Sequence, residues 1–297
     1  MTSTRTSSAR PPPVKTPQAW NWIRRVAGMT RHGVFDGTLI DAGFRLDVDA
    51  RGDWRCSHEV DEEAAQLLSI WLPWCIADVT QGARVIAQIG QSLDGRIATA
   101  SGASHYVTGA QSLVHLHRLR ALVDAVVVGA GTVVADDPQL TVRHVEGDNP
   151  LRVVLDPRGR VPAERGVFRQ PAAPTWHLVN EGVAGHGSAD HVSVHPLRPR
   201  PEGFDPVQVI SLLAEQGHRR ILIEGGGLTI SRFLQAGCLD RLHSVVAPML
   251  IGSGRPSLTL PEIDTLDGAL RPACRYFRLG DDMLFDLDLL DRDTTEA

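Results

Sequence analysis

The sequence predicts an α/β domain built on a central, mostly parallel sheet flanked by helices and closed by a C-terminal β-hairpin, with a small N-terminal appendage. Three observations predict it. From Arg84 onward, short β-branched runs alternate with helical or glycine-bearing stretches, which is how strands joined by crossover helices read. The final run, Arg275 to Leu289, is broken at Gly280-Asp281 and reads as two strands around a tight turn. The 297 residues, 42% hydrophobic and 22% charged, suffice for one large domain plus an appendage, or for two domains.

Residues 1–18 are Ser, Thr, Pro and basic residues with almost nothing apolar to bury, so a disordered tail is expected. No acidic residue precedes Asp36, a bias of organelle transit peptides, but Pro11-Pro12-Pro13 would break the amphipathic helix such a peptide needs. A plain flexible tail is therefore the reading adopted. Residues 19–83 carry five of the six tryptophans, Trp20, Trp22, Trp54, Trp71 and Trp74, so this segment must fold or dock. Phe35 to Val48 reads as two short strands around turns at Asp36-Gly37 and Ala42-Gly43. Val60 to Ile76 reads as a helix, with Asp61, Glu62 and Glu63 at its positive end. The segment is either a partner-binding or substrate-covering module or, more plainly, a small aromatic-rich cap.

The main domain is expected over residues 84–292. Its strands read as Arg84–Ile89, Asp124–Val128, Leu151–Leu155, Thr175–Val179, His191–Val194, Arg219–Ile223 and Leu242–Val246, and its helices as Gly109–Val123, Pro206–Gln216 and Leu228–Ala236.

Composition excludes several functions. No stretch approaches the roughly 18 unbroken apolar residues of a membrane helix. The net charge of −5 and the lack of a basic stripe with interleaved aromatics speak against nucleic-acid binding. Cys56, Cys75, Cys238 and Cys274 are scattered without a C-x-x-C pair, which fits neither a disulfide framework nor a zinc site and points to a reducing, cytoplasmic setting. His115 and His117, at i and i+2 on one helix, face apart, and His186, His191 and His195 have no matching ligand spacing, so no metal is expected.

The chemistry concentrates at strand ends, where open α/β sheets bind ligands. Ile221-Leu222-Ile223-Glu224 runs into Gly225-Gly226-Gly227 and then a helix. That is an anion-binding geometry, suited to a phosphate or pyrophosphate, or else a purely structural turn. Glu224 would either hydrogen-bond a heterocycle or sugar at the pocket floor or close a strand-end salt bridge. A second turn, Val128-Gly129-Ala130-Gly131-Thr132, leads into a short helix that Thr132 would cap and Asp136 would end. On the helix Gly109–Val123 the stripe Leu113, Leu116, Leu119, Val123 carries Arg120 in the same arc, and a buried guanidinium needs a partner. Glu224, Asp124 or a ligand phosphate would serve. The polar stretch Ala100–Tyr106 has the composition of a binding loop or of an ordinary surface loop.

In order, Ser92-Leu93-Asp94-Gly95-Arg96-Ile97-Ala98, Val128 to Arg143, Asn149 to Asp156, Ile221 to Gly227 and Val246 to Gly252 resemble the RibD C-terminal family, the pyrimidine reductase domain of riboflavin biosynthesis, over about residues 84–290. The resemblance implies a dihydrofolate-reductase-like fold, a homodimer, and NADPH-dependent reduction of the ribosyl group of a 5-amino-6-(5-phosphoribosylamino)pyrimidine to ribityl. On the matching positions it implies that Ser104, Arg120, Leu140, Arg143 and Glu224 line the substrate, with Glu224 catalytic. Gly90, Tyr106, Thr132, Asp136, Pro157, Gly226, Gly227, Leu228, Thr229, Ile230, Ser231 and Arg232 would line NADPH. Arg158 and Arg160 are added here as candidates for its 2′-phosphate. Gln88 stands where family members often carry a lysine, which bears on substrate identity, and Tyr106 where a tryptophan is common. Residues 1–83 contain neither a His-Ala-Glu nor a Pro-Cys-x-x-Cys signature, so no deaminase activity is expected. The alternatives carried forward are a reductase of the same fold acting on another pterin- or pyrimidine-like substrate, and a non-catalytic nucleotide-binding module that recruits a partner such as a separate deaminase.

Overall fold

The computed structural model describes residues 12–80, 82–104, 107–198, 200–201 and 203–290, and the chain divides after Thr80 into two compact units.

In the first unit, α1 (Thr16–Arg31) buries Ala19, Trp20, Trp22, Ile23, Val26 and Ala27 along one face, the spacing of an amphipathic helix. β1 (Thr38–Asp41) and β2 (Phe44–Val48) form a hairpin around Ala42 and Gly43, both at positive φ, and β3 (Trp54–Cys56) completes an antiparallel sheet. The helix α2 (Glu62–Cys75) begins at Asp61, whose carboxylate accepts the Ala64 N–H at 2.8 Å. The indole of buried Trp22 donates to Asp41 at 2.7 Å and that of Trp54 to Ser69 at 3.0 Å. Residues 1–11 of the expected disordered tail lie outside the described residues. Its last part is ordered: Val14 is fully buried and bridges Val60, and α1 starts at Thr16. The apolar face further along α1 supplies the burial that its polar first turn lacks. Neither α1 nor β3 was among the elements expected.

The second unit begins with β4 (Arg84–Ser92) and β5 (Arg96–Ala98), followed by α3 (Ala110–Leu122), β6 (Ala125–Gly129) and α4 (Ala130–Asp136). There follow β7 (Leu151–Leu155), α5 (Gly166–Arg169), β8 (Thr175–Asn180), β9 (Val192–Leu197), α6 (Pro206–Glu215) and β10 (Arg220–Glu224). Last come α7 (Gly227–Gln235), β11 (Arg241–Ala247), β12 (Arg255–Pro256), β13 (Ala273–Leu279) and β14 (Asp282–Asp288). Nine strands form one sheet in the order β13-β14-β11-β4-β10-β6-β7-β8-β9. From β11 to β9 every pairing is parallel; the terminal hairpin β13–β14 is antiparallel, and β14 pairs antiparallel with β11.

The β-branched runs become strands because both faces of the sheet are covered. Val85, Ala87, Ile89, Ala125, Val127, Ile221 and Ile223 join one core cluster with Ile230 and Phe233 of α7 and Val209 and Leu213 of α6. The alternate residues Ile86, Val126, Val128 and Leu222 are equally buried, as expected of central parallel strands. On α3 the expected apolar stripe divides: Leu119 is buried but Leu113 is exposed, and His115 and His117 are buried instead. No helix among the described residues is long and apolar enough to cross a membrane.

Candidate active site

Parallel strands present their carboxyl ends at one edge of the sheet, and β10 inserts between β4 and β6, so the strand order switches at that edge. A cleft of about 1390 Å³ opens there, lined by the ends of β4 (Gln88, Gly90), β6 (Gly129), β10 (Glu224) and the residue that follows β11, Pro248.

The turns after β6 and β10 are built as one piece. Thr132 Oγ1 accepts the Gly226 N–H at 2.9 Å, and Gly225 stands at φ +101 with its Cα so close that a Cβ would lie 2.7 Å from Thr132 Oγ1. At Gly227 a Cβ would meet the Ser257 carbonyl oxygen at 2.0 Å. Thr132 therefore does not cap α4, as expected from sequence; Gly129 occupies that N-cap, and Thr132, in the first turn, ties α4 to the start of α7. No side chain caps α7, and Gly227, Leu228 and Thr229 of its first turn line the cleft, so the helix's positive end lies at the cleft.

Glu224 sits at the floor of the cleft, its side chain 12% exposed. The Arg120 Nε donates to its Oε2 at 2.9 Å, Nη2 donates to its Oε1, and Nη1 donates to the Thr141 carbonyl at 3.1 Å. The resemblance implied that Arg120 lines the substrate; in the structure its guanidinium is engaged by Glu224 and the Thr141 carbonyl. Arg120 is buried and absent from the cleft lining, because a buried guanidinium is held only where its charge is matched, and Glu224 already matches it.

The other predicted residues divide. Gly90, Ser104, Thr132, Asp136, Pro157, Gly226, Gly227, Leu228, Thr229 and Arg232 all line the cleft, with Ser104 donating to Asp136 at 3.3 Å. Four do not. Leu140 is fully buried with φ +56. Ile230 faces the core, and Ser231, also buried, accepts the Thr259 N–H. Arg143 is spent on its own loop, donating to Gln139 and Thr141; burial, then Arg120, holds its pKa below the usual value. Of the two arginines added for the 2′-phosphate, Arg160 reaches the cleft and Arg158 does not. Tyr106 lies outside the described residues.

Structure adds Asp282, which the sequence left unmarked, and gives the surroundings of Asp94 and Gln88, which it had named. Asp282, on β14, lines the cleft and accepts the Gly109 N–H at 2.7 Å and the Ser112 hydroxyl, supplying from the hairpin the cap that α3 lacks. Asp94 accepts from Ser92 and from the Ile251 and Gly252 N–H groups, clamping the Ser92–Arg96 turn to the segment after β11; the Ser92 hydroxyl first, then those amides, draw its pKa down to about 2. Gln88 lines the cleft and is 8% exposed, and its buried Oε1 has no hydrogen-bond partner among the described residues.

The donor set fits an extended phosphorylated nucleotide. Among the described residues, Arg160, Arg232 and Arg255 line the cleft without a carboxylate partner. The uncapped α7 and the Cβ-free Gly225–Gly227 turn allow close approach of a pyrophosphate.

Comparison with known proteins gives a family and relatives. Residues 83–278 match the model of the RibD C-terminal domain. The 2,5-diamino-6-ribosylamino-4(3H)-pyrimidinone 5′-phosphate reductase of Methanothermobacter thermautotrophicus is 38% identical over 214 residues, covering 67% of this chain and 95% of that protein. The riboflavin biosynthesis protein RibD of Mycobacterium tuberculosis is 31% identical over 263 residues, 86% of this chain and 69% of its own. RibD of Bacillus amyloliquefaciens is 34% identical, and the chain spans 46% of its length. Among solved structures, RibD of Acinetobacter baumannii superposes with a TM-score of 0.61 at 30% identity, over 78% of this chain and 65% of that one.

Proposed function

The chain belongs to the RibD C-terminal domain family, and from that premise we propose that it is the NADPH-dependent reductase of riboflavin biosynthesis, converting the ribosyl group of a 5-amino-6-(5-phosphoribosylamino)pyrimidine to ribityl. The observation that carries this reading is the meeting, in one cleft, of the Glu224 carboxylate with the uncapped start of α7. One feature suits a polar, hydrogen-bonding substrate and the other a nucleotide phosphate.

Reduction at C1′ opens the bond between C1′ and the ring oxygen; C1′ gains a hydride and the oxygen a proton. NADPH, bound along Thr132, Asp136, Pro157 and Gly226 to Thr229, would supply the hydride. The protein's task is position. Arg120 holds both Glu224 oxygens, so Glu224 is turned by a rigid fork and presents its remaining lone pairs to N–H or O–H donors of the substrate. It orients the substrate as an acceptor. Gln88, one strand over in register with Glu224, offers a second acceptor beside it. Alignment of the reacting carbon with the donor is worth several powers of ten in rate when both partners are rigidly held.

As a reductase alone, without deaminase activity, working in the cytoplasm as a homodimer, the chain would depend on a separate deaminase for one of its two possible substrates. A second reading, a reductase of this fold acting on another pterin- or pyrimidine-like substrate, is favoured by the glutamine at position 88. The test is NADPH oxidation by purified protein with the aminated and the deaminated pyrimidine phosphates. Oxidation that requires one of them is expected; NADPH binding without turnover of either would overturn the riboflavin assignment.

A further inference from the structure

One buried cluster in the second unit is used by nothing above. Asp156, at the end of β7, is fully buried, as is His177 of β8 beside it. The Asp156 carboxylate accepts the Arg160 N–H at 2.9 Å and the Val161 N–H at 2.8 Å, and His177 Nε2 lies 3.3 Å from it. His177 Nδ1 accepts the His186 N–H at 2.9 Å, so the ring proton is on Nε2 and points at Asp156. The His186 Nε2–H donates to the Val161 carbonyl at 2.7 Å, and the His177 and His186 rings stack at 5.1 Å. Burial by itself pushes the Asp156 pKa up, but the His177 bond and the two backbone amides outweigh it and the pKa lies below the usual value.

Burying a carboxylate is expensive, and here its hydrogen bonds go to a five-residue surface loop, residues 157–161. Pro157 and Arg160 of that loop line the cleft. Arg232 of α7 lines the same cleft, and Gly203 lies next to both it and the loop. A Cβ on Gly203, which stands at φ +114, would lie 3.1 Å from Arg232 Nη1 and 3.9 Å from Pro157 Cγ. Arg160 and Arg232, neither with a carboxylate partner among the described residues, thus both line the cleft, as does Phe204.

We propose that Asp156, oriented by His177, is a positioning residue for cofactor choice: it holds the 157–161 loop so that Arg160, with Arg232, takes the 2′-phosphate that distinguishes NADPH from NADH. The inference rests on reading the cleft as a nicotinamide-cofactor site. An arginine pair is the chemistry that accommodates a 2′-phosphate. Asp156 and His177 touch no ligand and act only through the loop.

The test is calorimetric binding of NADPH and of NADH to the full chain and its variants. Wild type is expected to bind NADPH more tightly than NADH. Arg160→Gln, an exposed change that leaves the buried cluster intact, should weaken NADPH about tenfold, the order of a charged hydrogen bond, with NADH unchanged. Asp156→Asn and His177→Phe should weaken NADPH to a similar degree, spare NADH, and add nothing when combined with Arg160→Gln. His177→Gln, which keeps a donor near the Nε2 position, should recover most of the preference. Equal loss of NADPH and NADH in the Asp156 or His177 variants, losses that add to Arg160→Gln, or unchanged NADPH affinity in Arg160→Gln would each overturn the proposal. A wild-type chain that binds neither nucleotide would instead overturn the cofactor reading beneath it.

Discussion

At the scale of single residues, the Arg120–Glu224 pair carries the most consequence, because two functions meet in it. Glu224→Gln keeps the size and an acceptor oxygen but loses the charge. It should lower kcat by about tenfold or more while leaving NADPH affinity near wild type, since what is lost is a charged hydrogen bond to substrate. Steady-state kinetics with separate NADPH titration checks this. Arg120→Ala should act differently. Removing one partner of a buried pair strands the other charge, a loss of about 3–5 kcal/mol, so this variant should unfold at clearly lower denaturant as well as turn over slowly. Arg120→Ala with Glu224→Ala should regain much of the stability and none of the turnover; if the single and double variants unfold together, the pair is not the anchor argued here. Much of this was legible in the sequence: Arg120 falls on the same helical arc as Leu116, Leu119 and Val123, and Glu224 ends a strand before three glycines. Which of Glu224, Asp124 or a ligand phosphate matches Arg120 was not, because that depends on side-chain reach across two elements 104 residues apart. Leu140, Ile230 and Ser231 show the same limit. They lie within segments that reach the cleft, but backbone geometry turns each of them inward.

At the scale of elements, the strands of the large sheet and the helices α2, α3, α6 and α7 were legible, and α1 was not. Leu151–Leu155 and the hairpin turn at Gly280 match the expectation closely, because buried parallel strands read as unbroken β-branched runs bounded by turn residues. The helix α1 was passed over although Trp20, Ile23 and Ala27 recur at helical spacing. Its start, Thr16-Pro17-Gln18, continues the composition of the preceding polar stretch, yet proline is well suited to a first helical turn. The element with a sharp prediction is α7. Gly227→Ala would drive a methyl group into the Ser257 carbonyl, and either α7 or the 255–257 segment, both in the cleft wall, must move. Nucleotide affinity should fall by about tenfold or more, a loss of at least about 1.4 kcal/mol. Gly131→Ala is the comparison, since nothing lies within 4 Å of the added Cβ. Alanine inside α4 should raise stability by about 0.5–1 kcal/mol. Equal nucleotide binding by wild type and Gly227→Ala would show that this close approach does not shape the site.

At the scale of the whole molecule, acid should undo the second unit in two stages that its buried groups define. Burial, then His243 and Arg118, hold the His115 pKa well below its usual value, and burial, then Arg120 and Arg143, bring His117 down to about 3. In the unfolded chain both return to about 6.5. Between those limits the unfolded state binds the extra protons, so stability is highest above about pH 6.5 and falls as pH drops toward 3, by up to about 1.4 kcal/mol per pH unit for each group. From about pH 4 downward, Asp286 adds its own loss. Burial by itself pushes its pKa up, but the adjacent His243 ring and the Arg241 and Arg275 guanidinium groups carry it below the usual carboxylate range; its contribution is complete above the unfolded value and disappears as pH falls through the folded one. His117→Asn, which keeps an acceptor near Nδ1 for the Arg143 N–H, should flatten the first stage and leave the second. The probe must follow the right unit. Five of the six tryptophans lie before Thr80 and only Trp176 after it, so total fluorescence would report mainly on the N-terminal unit. Hydrogen exchange at the amides of β4, β6 and β10, measured from about pH 7 down to 4 and corrected for intrinsic rates, isolates the second unit. An opening free energy that falls as steeply with pH in His117→Asn as in wild type would remove His117 from this account and leave the first stage to His115.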